Sequence, residues 1–278
     1  MRGISIKPLL HGHMDLDKEM LVTTHPDGFT TGDSPNFGKE MCVIPSVTYI
    51  IDHPQDGRLI FDASISPHWD REWLPEWQAA APWTHTEQEI FENALKTQGI
   101  GPEDVDIAFL SHLHCDHAGN ARLFNTSGTK IMMHDDEFRA AADRTEDENF
   151  FLRADYELPG AKYNLLPGDT EIMKDVFAIS LPGHTPGLMG LMIHLEHAGT
   201  IILASDACYH KDSYEKEIGS MISADQEQWL SSMHKLKMLA RCHNATVIPG
   251  HSHTTCQEGG EKCPLHGEDH VRMGGEYT

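Results

Sequence analysis

The segment Ser111-His112-Leu113-His114-Cys115-Asp116-His117-Ala118-Gly119-Asn120 places three histidines and an aspartate within six residues. It follows directly on an apolar run, residues 105–110, that reads as a buried strand. Imidazole nitrogen and carboxylate oxygen are the donors that suit Zn²⁺ and neighbouring transition metals. Four such side chains from so short a stretch do not easily close around one ion. Alternate residues at a strand end point to opposite sides. His112 and His114 therefore share a direction, and Asp116 and His117 lie beyond the turn. The pattern predicts two metal ions side by side, each served by one pair, with the rest of the chain completing and covering the site.

Three further strand ends offer the missing donors. Residues 171–181 read as a strand pair ending in Pro182-Gly183-His184-Thr185-Pro186-Gly187. Residues 200–204 read as a strand ending in Ser205-Asp206-Ala207-Cys208-Tyr209, and residues 245–248 as a strand ending in Pro249-Gly250-His251-Ser252-His253. Each end has an ordinary explanation when taken alone. A Gly-His turn is common, and an aspartate after a strand is often a helix cap. Beside the cluster, the four ends read jointly as one rim. Glycine at Gly119, Gly183 and Gly250 lets the backbone turn sharply and approach an ion closely.

His-x-His-x-Asp-His, followed by Gly-His, then Asp, then a second Gly-His, resembles the metallo-β-lactamase superfamily over roughly residues 40–252. The resemblance implies an α/β fold, an αβ/βα four-layer sandwich, with a dinuclear metal site. Carried over by position, His112, His114 and His184 would bind one divalent ion, Asp116, His117 and His251 the other, and Asp206 would bridge them. Zinc is the expected metal, with iron, manganese and cobalt as alternatives. Asp206-x-x-Tyr209 is similar to the N-acyl homoserine lactonase branch, where a tyrosine at this place reaches the substrate carbonyl. The expected reaction is the opening of a cyclic ester, a lactone of the N-acyl homoserine type, by metal-bound hydroxide. Tyr209 would donate to the oxyanion, and Asp116 would pass a proton to the leaving alkoxide. Hydrolysis of a small heterocyclic lactam or cyclic carbamate is the alternative. A glyoxalase II-like thioesterase, a mononuclear iron persulfide dioxygenase and a non-catalytic metal-binding module stand behind it. Cys115 and Cys208, beside the ligands, read as small packing residues.

Elsewhere the reading is structural. Residues 43–51 and 58–63 look like a hairpin. Residues 86–99 read as a helix: Thr86 and Glu89 fit a capping box, Ile90, Phe91, Ala94 and Leu95 form its apolar face, and Gly99 suits its end. Trp69, Trp73 and Trp77 recur every four residues ahead of Trp83, but Pro75 interrupts the helical spacing. Residues 69–83 are therefore expected as a short broken helix or ordered loop that packs on the core, covers the site or makes a dimer contact. His11 and His13 share the i, i+2 spacing of the main motif without its Asp-His, and read as polar residues on a strand. Residues 25–40 are loop-like, and 145–163 read as a connection bordering the site.

Strand and helix runs in both halves, with no separating linker, suggest one domain over residues 1–278, carrying a Cys/His-rich tail at 253–278. The tail's His253, Cys256, Cys263 and His266 have spacing compatible with a small zinc site, a disulfide or free thiols. The formal net charge is −22, which argues against nucleic acid and anionic membrane as partners, because both are gripped by Lys and Arg. A small uncharged molecule suits this balance better. No stretch approaches the ~20 apolar residues of a membrane span. Residues 1–10 lack the apolar run of a secretory signal, and the six cysteines show no dense framework, so the expected location is the cytoplasm. The exposed tryptophans leave a homodimer open.

Overall fold

A computed structural model describes residues 3–22, 38, 40–251 and 276–278. The hairpin expected from the first half extends into a larger antiparallel run: β1 (Ser5–Asp17), β2 (Met41–His53) and β3 (Gly57–Phe61). β4 (Trp83–Thr84) pairs with β1, while β5 (Ile107–Phe109), β6 (Lys130–His134) and β7 (Tyr163–Leu166) continue parallel from β3. The order is β4-β1-β2-β3-β5-β6-β7. A second sheet is built from β8 (Thr170–Met173), β9 (Val176–Ser180), β10 (Met189–Leu195), β11 (Gly199–Leu203) and β12 (Thr246–Ile248), in the order β12-β11-β10-β9-β8. Its pairs are antiparallel except β11–β12.

Period-two alternation explains why the sheets face each other. Tyr49, Ile51, Leu59, Phe61, Ile107 and Phe109 point inward and meet Met189, Leu191, Ile193, Ile201 and Leu203 of the second sheet. Their neighbours Ile50, Ile60 and Ala108 point outward and are covered by Phe91, Ala94 and Leu95 of the helix Phe91–Thr97. Met192 and Ile202 point outward from the second sheet, under Trp229, Met233 and Leu236 of the helix Gln226–His243. Helix, sheet, sheet and helix give the αβ/βα sandwich. Asp225 caps the long helix by accepting from Gln228 N–H at 2.9 Å, and Asn244 (φ 47°) ends it in the left-handed region.

One expectation needs revision. The helix at 86–99 begins only at Phe91. The capping box forms as read, with Glu89 Oε2 accepting from Thr86 N–H at 2.7 Å, but it closes a single 3₁₀ turn. Ile90 (ψ 130°) then leaves the helical region before the true helix starts. The tryptophan segment is two short helices, Trp69–Glu72 and Pro75–Ala80, and Pro75 opens the second. At a first helical position its missing N–H costs no bond, so the residue that breaks one helix starts the next. Trp73, Trp77 and Trp83 are buried with Met14, Leu16 and Ile44 of the first two strands, so this segment packs on the core. His11 is a satisfied core histidine: Nδ1 lies 2.9 Å from Glu89 O and Nε2 2.8 Å from Thr48 Oγ1. The loop expected at 25–40 falls almost wholly outside the described residues, and the His253, Cys256, Cys263 and His266 cluster falls wholly outside them. No helix of the described residues is long and apolar enough to cross a membrane.

Candidate metal centre

The ends of β5, β9, β11 and β12 meet at one rim of the sandwich. After Leu110 the chain turns through Ser111–His114 into the short helix Cys115–Ala118, which carries Asp116 and His117. Gly183, at φ +130°, precedes His184, and a Cβ there would lie 2.2 Å from Trp229 N. Gly250 precedes His251, and a Cβ would come within 2.7 Å of Asp206 Oδ1. Only glycine fits at either place, because the backbone packs directly against Trp229 in one case and against Ser205 and Asp206 in the other.

All seven expected ligands come together. Donor atoms of His112, His114 and His184 lie within 4.8 Å of one another, as do those of Asp116, His117 and His251, and those of His112, His117 and Asp206. Asp206 stands between the two sets. Its Oδ2 is 3.7 Å from His112 Nε2 and 3.4 Å from His184 Nε2. Its Oδ1 is 3.4 Å from His117 Nε2 and 3.2 Å from His251 Nε2. One oxygen facing each set is the arrangement a bridging carboxylate needs. Asp116 Oδ2 lies 3.4 Å from His117 Nε2 and 3.6 Å from His251 Nε2.

The donors fit a pair of cations better than they fit one another. His112 Nε2 and Asp206 Oδ1 are buried with no hydrogen-bond partner among the described residues. Such atoms are costly to bury unless something completes them. His114 Nδ1 and His184 Nε2 face each other at 3.0 Å, and His117 Nε2 and His251 Nε2 at 3.3 Å. Burial, reinforced by neighbouring imidazoles, pushes His112 and His114 well below the usual histidine range. Burial likewise lowers His184 to about 4. All three are thus held neutral, the state that ligates. Burial opposes charge at His117 and His251 too, but the carboxylates beside them, Asp206 foremost, raise both. Burial also works against ionised Asp116, yet His117 and His251 hold it at about 2.

The surrounding shell includes residues that the motifs did not reveal. Asp62, at the end of β3, accepts from Ser111 N–H at 2.7 Å and lies 2.9 Å from His117 Nδ1. That contact fixes the ring so that Nε2 faces the centre. Ser111 Oγ sits 3.0 Å from His112 Nδ1 and 2.8 Å from Ser205 Oγ, while Pro45 O lies 2.9 Å from His251 Nδ1. Glu137 is wholly buried and accepts from Leu113 N–H and Gly187 N–H, each at 2.9 Å. It ties the loop of His112 and His114 to the loop that follows His184. Asp62 has the same signal as Asp206, an acid closing a buried apolar run. Nothing local marks Glu137.

Tyr209 lies over this centre. Its hydroxyl is 3.3 Å from His184 Nε2, and its ring stacks on His251 at 5.4 Å. Burial and the nearby Asp206 and Asp116 carboxylates push its phenol well above its ordinary range, so it stays a protonated donor. Cys115 and Cys208 are both wholly buried in apolar clusters, as packing residues are. Phe150, at a left-handed φ of 65°, accepts from Cys115 N–H at 2.9 Å and packs on Trp77 and His114. The connection at 145–163 does border the site.

Two packed sheets carry at their rim a histidine–aspartate basin whose donors fall in sets able to hold metal ions. The family model of the Metallo-beta-lactamase superfamily matches residues 43–251, and the chain belongs to that superfamily. Among curated relatives, the N-acyl homoserine lactonase AiiA of Bacillus thuringiensis subsp. kurstaki is 34% identical over 166 residues, 60% of this chain. The match spans 63% of that relative's length, just under two thirds. The N-acyl homoserine lactonase AttM of Agrobacterium fabrum (strain C58 / ATCC 33970) is 28% identical over 221 residues, 75% of this chain and 82% of that protein. Among solved structures, an N-acyl homoserine lactone hydrolase with the product N-hexanoyl-L-homoserine at its catalytic metal centre superimposes with a TM-score of 0.77. It shows 25% identity and covers 91% of this chain and 95% of its own.

Proposed function

We propose that this protein is a dinuclear metal hydrolase that opens the lactone ring of N-acyl homoserine lactones. The observation that carries the reading is Tyr209, whose protonated hydroxyl stands 3.3 Å from His184 at the edge of the basin, three residues beyond Asp206. The lactonase relatives and the product-bound neighbour support the same substrate class.

In this reading His112, His114 and His184 would hold one ion, Asp116, His117 and His251 the other, and Asp206 would serve both. Two divalent ions held there would supply an acidified water as nucleophile and Lewis-acid polarisation of the ester carbonyl. Tyr209 Oη–H donates to the carbonyl oxygen as negative charge develops on it. Asp116, which lines a cavity beside the centre and is ionised at rest, takes up a proton from the attacking water and passes it to the leaving ring oxygen. Asp62 and Ser111 keep His117 and His112 oriented, and Trp73, Met20 and Ile44 keep water from that side. The donor set, imidazole with carboxylate, supports zinc, with iron, manganese and cobalt as rivals. The core shared by the two sheets supports one domain over residues 1–278. The thiols of Cys42 and Cys242, free of disulfides among the described residues, support a reducing compartment, the cytoplasm.

The test is a hydrolysis panel on purified, metal-loaded protein, with elemental analysis in parallel. Two equivalents of metal and turnover of acyl homoserine lactones are expected. Turnover confined to a small lactam or to a glutathione thioester, or one iron with oxygen consumption, would overturn the reading.

A further inference from the structure

His114, Phe150 and Ile222 line two cavities beside the metal centre. The smaller, ≈ 30 Å³, is walled by Met14, Leu16, Ile44 and Trp73. It has the volume of about one water molecule in the liquid. The larger, ≈ 380 Å³, contains His114 and His184 together with Arg144, Asn149 and Ser223. Of the two, it is the one with room for the body of a ligand that reaches the metal centre.

Its polar wall is incomplete. Arg144 is the one Lys or Arg among its described lining residues. Its guanidinium is clamped in place: Nη1 donates to Glu148 Oε1 at 2.7 Å, and Cζ lies 4.1 Å above the Phe151 ring. Phe151 in turn packs against the His114 ring at 4.9 Å. Yet Arg144 Nε is buried with no hydrogen-bond partner among the described residues, and so is the hydroxyl of Ser223, a residue only 2% exposed. Buried polar atoms that the fold leaves unpaired beside a reaction centre mark where a ligand supplies the partner. Arg144 Nε offers a donor and Ser223 Oγ can donate or accept. An amide presents an acceptor and a donor side by side.

We propose that Arg144 and Ser223 recognise the exocyclic amide of the substrate. Arg144 Nε–H donates to the amide carbonyl oxygen, and Ser223 Oγ accepts from the amide N–H. This assignment rests on the lactonase reading above. It makes the chamber selective for N-acylated lactones over bare rings, because an unsubstituted ring leaves both groups unpaired.

The experiment compares N-hexanoyl homoserine lactone with unsubstituted γ-butyrolactone in the wild-type protein, in Arg144→Gln and in Ser223→Ala, each at matched metal content. The ratio of the two kcat/KM values should fall about ten- to a hundredfold in Arg144→Gln and about fivefold in Ser223→Ala, chiefly through KM for the acylated lactone. The inhibition constant of the ring-opened product N-hexanoyl-homoserine should rise in step. An unchanged ratio in both variants would sink the assignment while leaving the lactonase reading in place. If Arg144→Gln fails to fold, Ser223→Ala decides alone. A wild-type protein that opens neither lactone removes the lactonase reading, and this inference with it.

Discussion

The floor of the site takes its side chains from four strand ends, whereas its walls come from the first two strands, the tryptophan segment, Arg144 with residues 149–151, and the turn at 221–224. The two regions obey different constraints. On the floor, His112, His114, Asp116, His117, His184, Asp206 and His251 must each be the right donor, aimed within a fraction of an ångström, with the second ring nitrogen or backbone held from behind. On the walls, Met14, Leu16, Ile44, Trp73 and Phe150 need only fill space and exclude water. Many apolar sets meet that demand. A floor substitution should therefore act on metal and rate, and a wall substitution on which substrate is accepted.

The largest effect should come from Asp206→Ala, because one carboxylate faces both halves of the centre. Turnover should drop on the order of 10³-fold or more, with metal content falling below two ions per chain. Elemental analysis that still found both ions would break the bridging assignment. Tyr209→Phe should lower kcat on the order of 10²–10³-fold with both ions retained. Loss of metal instead would make Tyr209 part of the floor's support.

Asp62→Asn tests the shell beneath the floor. It keeps the shape but loses the charge beside His117 Nδ1, so metal affinity should weaken about 10- to 100-fold, read by chelator competition. Phe150→Ala tests the wall. It joins the two cavities, so the preferred acyl chain should lengthen, with selectivity changing on the order of tenfold and the ions unaffected. A kcat/KM series over acyl-chain length checks this. Metal loss there would show that the hold of Phe150 O on Cys115 N–H belongs to the floor.

The smallest effect on turnover concerns His11, which lies outside both regions, shares only the i, i+2 spacing of the metal motif and acts on stability alone. Burial lowers it to about 4 from its ordinary 6.5. Between these values the unfolded chain binds the proton and the folded chain does not. Stability is therefore fully present above pH 6.5 and lost as the pH falls towards 4. The contribution is at most about 3 kcal/mol. Urea midpoints at pH 7 and 4.5 should converge between the wild type and His11→Asn. A pH-independent difference would contradict this.

Much of the floor was legible because metal ligation restricts residue type and spacing together. His112 to His117 sit in consecutive sequence, and His184, Asp206 and His251 each follow a recognisable apolar run. Asp62 carried the same mark as Asp206 but no neighbouring motif to draw attention to it. Glu137 carried none, because its role is set by two backbone N–H groups, 24 and 50 residues away in sequence. The helix expected at 86–99 starts later, at Phe91, because a capping box satisfies its N–H groups equally well over one 3₁₀ turn.

The sequence by itself determined the donors, the turns that present them and the period-two faces that make two sheets pack. These follow from local chemistry: the coordination preferences of imidazole and carboxylate, the freedom of glycine, and the alternation of a strand. Tertiary structure alone decided which oxygen of Asp206 faces which histidines, that Glu137 and Asp62 brace the ligand loops, and that Arg144 and Ser223 are left unpaired in the same chamber. Those are relations between residues distant along the chain. They depend on where the packed sheets bring the loops, which no local pattern records.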